Sequence, residues 1–241
     1  KMTQPIFAVG DIHGQLEMLE TAITRITNSG GEDAQIVFVG DLVDRGLNSR
    51  AVIKRLLQGQ AQGRNWTVLK GNHDRLFSEF LDTGAHLSPF TADPTLSWLN
   101  PRMGGDQTLA SYGITATEDA PNHSAALTAV PTEHREWLAN LPTHFETETQ
   151  YFAHAGVRPM VALADQIEND LTWIREPFLS YDKPHPKLII HGHTAIDAAQ
   201  HHGNRINLDS GAGFGRPITA AKIIADKVWV LGAAGETPLL P

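Results

Sequence analysis

The chain has 241 residues, 41% of them apolar and 19% charged, a balance that excludes disordered, collagen-like and coiled-coil classes. Its net charge of −8 argues against a nucleic-acid surface, which depends on clustered Lys and Arg, so an anionic ligand would have to be drawn in by a local positive field. The absence of cysteine removes disulfides, thiolate zinc sites and cysteine nucleophiles together.

No apolar run approaches the roughly 20 residues that span a bilayer, and the first thirty residues lack a signal-peptide layout. The expectation is a cytoplasmic protein with no membrane and no nucleic-acid partner. No linker, repeat or low-complexity tract divides the sequence, so one domain is expected over residues 2–241, with Lys1 read as an addition ahead of Met2.

Three short apolar runs, Ile6–Val9, Ile36–Val39 and Thr67–Leu69, are each followed at once by a glycine or by Lys70-Gly71, and then by Asp or Asn. Each predicts a buried strand ending in a loop. Helical spacing follows each loop: Leu16, Leu19, Ile23 and Ile26, then Val52, Ile53, Leu56 and Leu57, then Leu76, Phe77, Phe80 and Leu81. A βαβαβα order implies parallel strands with right-handed crossovers, and ligands in such sheets bind beyond the carboxyl ends of the strands, where all three loops fall.

From Gly84 to Asn122 the periodicity weakens around Pro89, Pro94 and Pro101, and the segment reads as a capping insertion in which Trp98, Leu99, Leu109 and Tyr112 suggest short helices. Thr132 is placed to N-cap a helix through Asn140, and Thr143–Glu148 with Gln150–His154 resembles a hairpin. Leu188–His191 and Arg205–Leu208 read as further strands, and Ile218–Ile224 with Val228–Leu231 as a last hairpin. The expected class is α/β, two packed mixed sheets with helices outside.

The loops hold the chemistry: Gly10-Asp11-Ile12-His13-Gly14, Gly40-Asp41-Leu42-Val43-Asp44-Arg45-Gly46 and Gly71-Asn72-His73-Asp74. An Asp-x-His pair at a strand end turns both side chains to one side, which suits Asp11 and His13 to one divalent ion. A site with two ions about 3.5–4 Å apart needs a bridging carboxylate, and Asp41 holds the matching position on the next strand. Asn72 offers a neutral oxygen, and His154 and His193 follow apolar strands that could bring them to a second ion. Asp, Asn and Gly after a strand are also ordinary turn formers, so any one loop alone says little; three in register say much more. His86, His123, His134, His144, His185, His201 and His202 are taken as structural or solvated.

These three motifs, in this order, resemble the signature of the phosphoprotein phosphatase family of calcineurin-like metallophosphoesterases, close to its bacterial and bacteriophage members, over nearly the whole chain. The resemblance implies a four-layer α/β/β/α sandwich. It implies Asp11, His13 and Asp41 on one metal, and Asp41, Asn72, His154 and His193 on the other. The ions would be two divalent cations, Mn²⁺ being the expected pair and Fe, Zn or Ni the alternatives. It further implies His73 as the general acid oriented by Asp44, with Arg45, Asn72 and Arg175, the last in Trp173-Ile174-Arg175, binding substrate phosphate, and direct attack on phosphorus by a metal-activated water. An Arg fork matches phosphate oxygens, and a carboxylate beside an imidazole favours its protonated form.

Alternatives stand beside several of these roles. Asp44 could pair with Arg45 at the surface and Arg175 with Glu176, while Asp209 in Asn207-Leu208-Asp209-Ser210-Gly211 fits a turn-stabilising role. In His191-Gly192-His193-Thr194 the ligand is assigned to His193, with His191 supporting it or structural, the alternative being that His191 and His193 together form a ligand pair. The expected substrates are phosphorylated proteins or peptides, or small phosphate esters. The rival functions are a symmetrical dinucleoside tetraphosphate hydrolase and a non-catalytic, metal-stabilised binding module.

Overall fold

The computed structural model describes residues 4–241, so Met2 and Thr3, with which the expected domain begins, lie outside the described residues. Strands β1 (Ile6–Val9), β2 (Ile36–Phe38) and β3 (Trp66–Val68) alternate with helices α1 (Leu16–Gly30), α2 (Ser49–Ala61) and α3 (Asn72–Thr83). Phe7 lies opposite Ile36 and Val37 opposite Thr67 in parallel register. The helical faces read from spacing are the buried ones: Leu19, Ile23 and Ile26 in α1, Val52, Ile53 and Leu56 in α2, and all four apolar residues of α3.

The rest of the chain forms α4 (Gly105–Ser111), α5 (His123–Ala129), α6 (Thr132–Ala139), β4 (His144–Glu146), β5 (Gln150–Ala153) and α7 (Glu168–Trp173). It continues through β6 (Leu188–His191), β7 (Gln200–His201), β8 (Arg205–Asn207), β9 (Ala220–Ile224), β10 (Lys227–Gly232) and β11 (Gly235–Leu239). One sheet runs β11-β10-β9-β1-β2-β3 and the other β4-β5-β6-β8-β7. Both are mixed: β1–β3 are parallel and β9 joins β1 antiparallel, while β5, β6 and β8 are parallel in the second sheet.

Strand alternation explains the layering. Phe7, Val9, Ile36 and Phe38 face outward to the buried stripes of α1–α3, whereas Ile6, Ala8, Val37 and Val39 face inward to Phe152, Ile190, Ile206 and Leu208 of the second sheet. On the far side of that sheet, Tyr151, Ala153 and Ile189 pack on Leu171, Ile174 and Phe178. The layers are therefore α/β/β/α.

Three local expectations are corrected. Pro131, not Thr132, occupies the N-cap of α6; proline's fixed φ lets it open the helix, and the Thr132 hydroxyl instead accepts a bond from Arg135. The last hairpin is extended by β11, hidden in the sequence by Pro238, which a sheet tolerates at its edge. Trp98 and Leu99 sit in turns rather than a helix, yet both are buried with Leu109 and Tyr112 in the core outside the first sheet.

Candidate active site

The loops after β1, β2, β3, β5 and β6 meet at the carboxyl ends of the parallel strands. Asp41 is at their centre. Its Oδ2 lies 3.5 Å from His13 Nε2, and its Oδ1 lies 3.3 Å from His154 Nε2. Two groups result, His13 with Asp41 and His73, and Asp41 with His154 and His193, each with its nitrogen and oxygen atoms within 4.8 Å of one another. Asn72 Oδ1 stands 2.9 Å from both His154 Nε2 and His193 Nδ1.

The donor set fits divalent cations. Ligands held about 2.1 Å from one ion in octahedral geometry stand about 3 Å apart, close to these separations. Backbone carbonyls fix two of the rings: His13 Nδ1–H donates to Val43 O at 2.8 Å and His154 Nδ1–H to Val39 O at 2.9 Å. Each Nε2 then turns its lone pair toward the Asp41 carboxylate. Acceptors so arranged tolerate one another only with positive charge between them, either a proton or a cation. His193 has no comparable carbonyl anchor, and its Nε2 is buried without a hydrogen-bond partner.

Electrostatics point the same way. Burial and the adjacent carboxylates of Asp209 and Asp41 push Asp11 well above the usual carboxylate range. Burial also opposes ionisation of Asp41, but His154, His73 and His13 hold its pKa well below that range. Burial drives His13 down to about 3 and lowers His193 strongly, leaving neutral imidazoles suited to ligation. For His154 burial works against the charged form and Asp41 overrides it, so that pKa is raised.

Backbone strain gathers here. His13, Asp41, Asp44, Arg45 and His193 have φ between 46° and 75°, a region unfavourable to L-residues. The loops hold them there with long-range bonds: His13 N–H donates to Asp41 O, and Asp74, through its two oxygens, accepts Leu42 N–H at 2.9 Å and Gly71 N–H at 2.8 Å. Asp74 is buried, and burial with the Asp41 charge brings its pKa up to about 7 against those two donors.

Not all the sequence-derived assignments come together in one place. Asp11 is not among the groups formed around His13; its two oxygens each receive His193 N–H at 3.2 Å, and it lies beside Asp209. Asp209 Oδ1 accepts Gly211 N–H at 3.0 Å, as its turn-stabilising role requires. Asp44 is fully buried and pairs with His73, Oδ2 to Nδ1 at 2.6 Å, rather than with Arg45. Arg45 is half-buried with its guanidinium 5.1 Å from the centre of the Phe214 ring. Arg175 is exposed, its charge felt at His193, and no ion pair joins it to Glu176 among the described residues. His191 donates to Gly192 O and accepts from Arg205 Nη1 at 3.2 Å, outside both groups. Beyond His73, sequence reasoning missed two partners of Asp44: Trp98 Nε1 donates to Oδ2 at 2.7 Å and Thr108 Oγ1 to Oδ1 at 2.6 Å. Burial raises the Asp44 pKa even with these donors.

A fold of this layering with buried Asp/His groups at its strand ends defines a metallophosphoesterase. Residues 4–210 match the model of calcineurin-like phosphoesterases, and the chain belongs to that family. It is 36% identical over 73 residues to the symmetrical bis(5'-nucleosyl)-tetraphosphatase of Bordetella parapertussis, covering 30% of this chain and 25% of that protein. The chain thus spans about a quarter of that curated relative's length. It is 34% identical over 79 residues to serine/threonine-protein phosphatase 2 of Escherichia coli, covering 33% of this chain and 34% of that protein. The crystal structure of a cold-active protein-tyrosine phosphatase of a Shewanella species superposes with a TM-score of 0.64 at 18% identity, over 99% of this chain and 81% of that one, a likeness of fold. Among the described residues no helix is long and apolar enough to cross a membrane.

Proposed function

We propose that this phosphoesterase is a phosphomonoesterase of the protein phosphatase type, acting on phosphoserine, phosphothreonine or phosphotyrosine in proteins or peptides and on small phosphate esters. The observation that carries this reading is the buried His73–Asp44 pair, 2.6 Å long, beside the ligand groups centred on Asp41.

Ester cleavage expels an alkoxide, a poor leaving group that gains much from a proton delivered as the bond breaks. His73 is held for that delivery, its Nδ1 engaged by Asp44 and its ring 4.9 Å from that of His13. Arg45 would grip the phosphate with its planar fork, with Arg175 adding charge from the rim. Asp11, His13 and Asp41 would hold one divalent ion and Asp41, Asn72, His154 and His193 a second, Mn²⁺ by preference. Bound there, such ions would supply charge neutralisation and would lower the pKa of water, so that hydroxide is available as the nucleophile at neutral pH.

A second reading, symmetrical dinucleoside tetraphosphate hydrolysis, is favoured by what the Bordetella relative is named for. Its leaving group is a nucleotide phosphate, whose own pKa of about 6 lessens the need for an acid. Turnover with Mn²⁺ on a phosphoserine peptide and on diadenosine tetraphosphate separates the two. The proposal expects the peptide to be the better substrate; preference for the dinucleotide overturns it.

A further inference from the structure

We infer that Trp98 and Thr108 are positioning residues for the proton donor, so that the stretch 84–122 takes part in the reaction as well as in packing. The inference rests on the reading of His73 as general acid. Asp44 has no freedom of its own. Its Oδ2 is shared between His73 Nδ1 and Trp98 Nε1, and its Oδ1 receives Thr108 Oγ1. The same Thr108 hydroxyl oxygen accepts the backbone N–H of Asp44 at 2.8 Å, and Ser49 Oγ accepts it at 3.2 Å. One hydroxyl thus ties both the main chain and the carboxylate of a residue whose φ is 75°.

Trp98 is in turn closely packed. It is 1% exposed, with its ring 5.4 Å from Phe77 and 5.1 Å from Phe80. Gly105 abuts it so closely that an added Cβ would lie 2.4 Å from the indole. Phenylalanine at this position would keep an aromatic ring between Phe77 and Phe80 while removing the indole N–H. What the indole adds is one N–H aimed at the oxygen that also faces His73, leaving that oxygen's remaining lone pair directed at the imidazole. Two donors from different segments therefore fix the plane of the carboxylate, and the carboxylate fixes the ring. Hydrogen bonds to a charged group are worth about 1.5–3 kcal/mol, roughly ten- to a hundredfold in rate if expressed only in the transition state.

Trp98→Phe and Thr108→Val in the full chain, measured beside His73→Asn, test this. Each is assayed for kcat and KM on a phosphoserine peptide and on p-nitrophenyl phosphate, whose leaving group departs readily unprotonated. Metal content and melting temperature are followed alongside. The expected result is a loss of about tenfold or more in kcat on the peptide, a much smaller loss on p-nitrophenyl phosphate, little change in KM, and recovery in Thr108→Ser. If His73→Asn shows this asymmetry while Trp98→Phe and Thr108→Val slow both substrates alike, the two residues only pack and the inference is overturned. If His73→Asn itself shows no asymmetry, the acid assignment fails first and takes the inference with it. A low-field proton resonance from His73 Nδ1–H gives a readout independent of turnover. It should shift in Trp98→Phe, and an unmoved signal contradicts the role.

Discussion

Asp41 Oδ1 accepts the backbone N–H of His73 at 3.0 Å, so the carboxylate between the two ligand groups also fastens the first turn of α3. If Asp41 ligates metal and His73 donates the proton, as proposed, one side chain would couple the two functions. The approach is possible because residue 71 is glycine: a Cβ there would lie 2.1 Å from Asp41 Oδ1, although its φ of −90° would suit any residue.

This coupling gives Asp41→Asn a distinctive signature. The amide keeps the shape and one acceptor but loses the charge that both groups share, so affinity for both ions should fall together, by at least about tenfold. Metal analysis of the variant at graded Mn²⁺ concentrations reads this directly. Full retention of one ion, with activity little changed, would show that Asp41 does not join the two groups.

The proposed phosphate grip can be tested separately from the proposed metal sites. Arg45 has a buried Nε with no hydrogen-bond partner among the described residues and rests against Phe214, and Arg175 is exposed. Arg45→Ala should weaken inhibition by inorganic phosphate about tenfold or more, and Arg175→Ala by less, with metal content unchanged in both. Unchanged inhibition in Arg175→Ala would return that residue to a solvated rim charge.

Much of this arrangement was legible in the sequence because its signals are local. A short apolar run, a glycine and an acid mark a strand end, and the buried faces of α1–α3 follow from spacing alone. The parts that were not legible depend on distant contacts. Nothing near Thr108 announces that its hydroxyl meets Asp44 across 64 positions, and Trp98 reads as any core aromatic until its Nε1 is placed. Asp74 is similar: nothing in its motif announces that it braces Leu42 across 32 positions as well as Gly71. The position of β11 was obscured by Pro238, a residue that argues against a central strand but not against an edge.

Dependence on divalent ions bears most directly on the account as a whole. The buried Asp and His side chains around Asp41 could hold cations, and the sequence contains no cysteine to serve as an alternative nucleophile. Purified protein treated with chelator and assayed on a phosphomonoester, then reloaded with Mn²⁺ and analysed for bound metal, decides the matter. The account predicts no turnover after chelation and recovery of activity as two ions bind per chain. Full turnover in metal-free buffer, or recovery with no ion bound at Asp41, would contradict it.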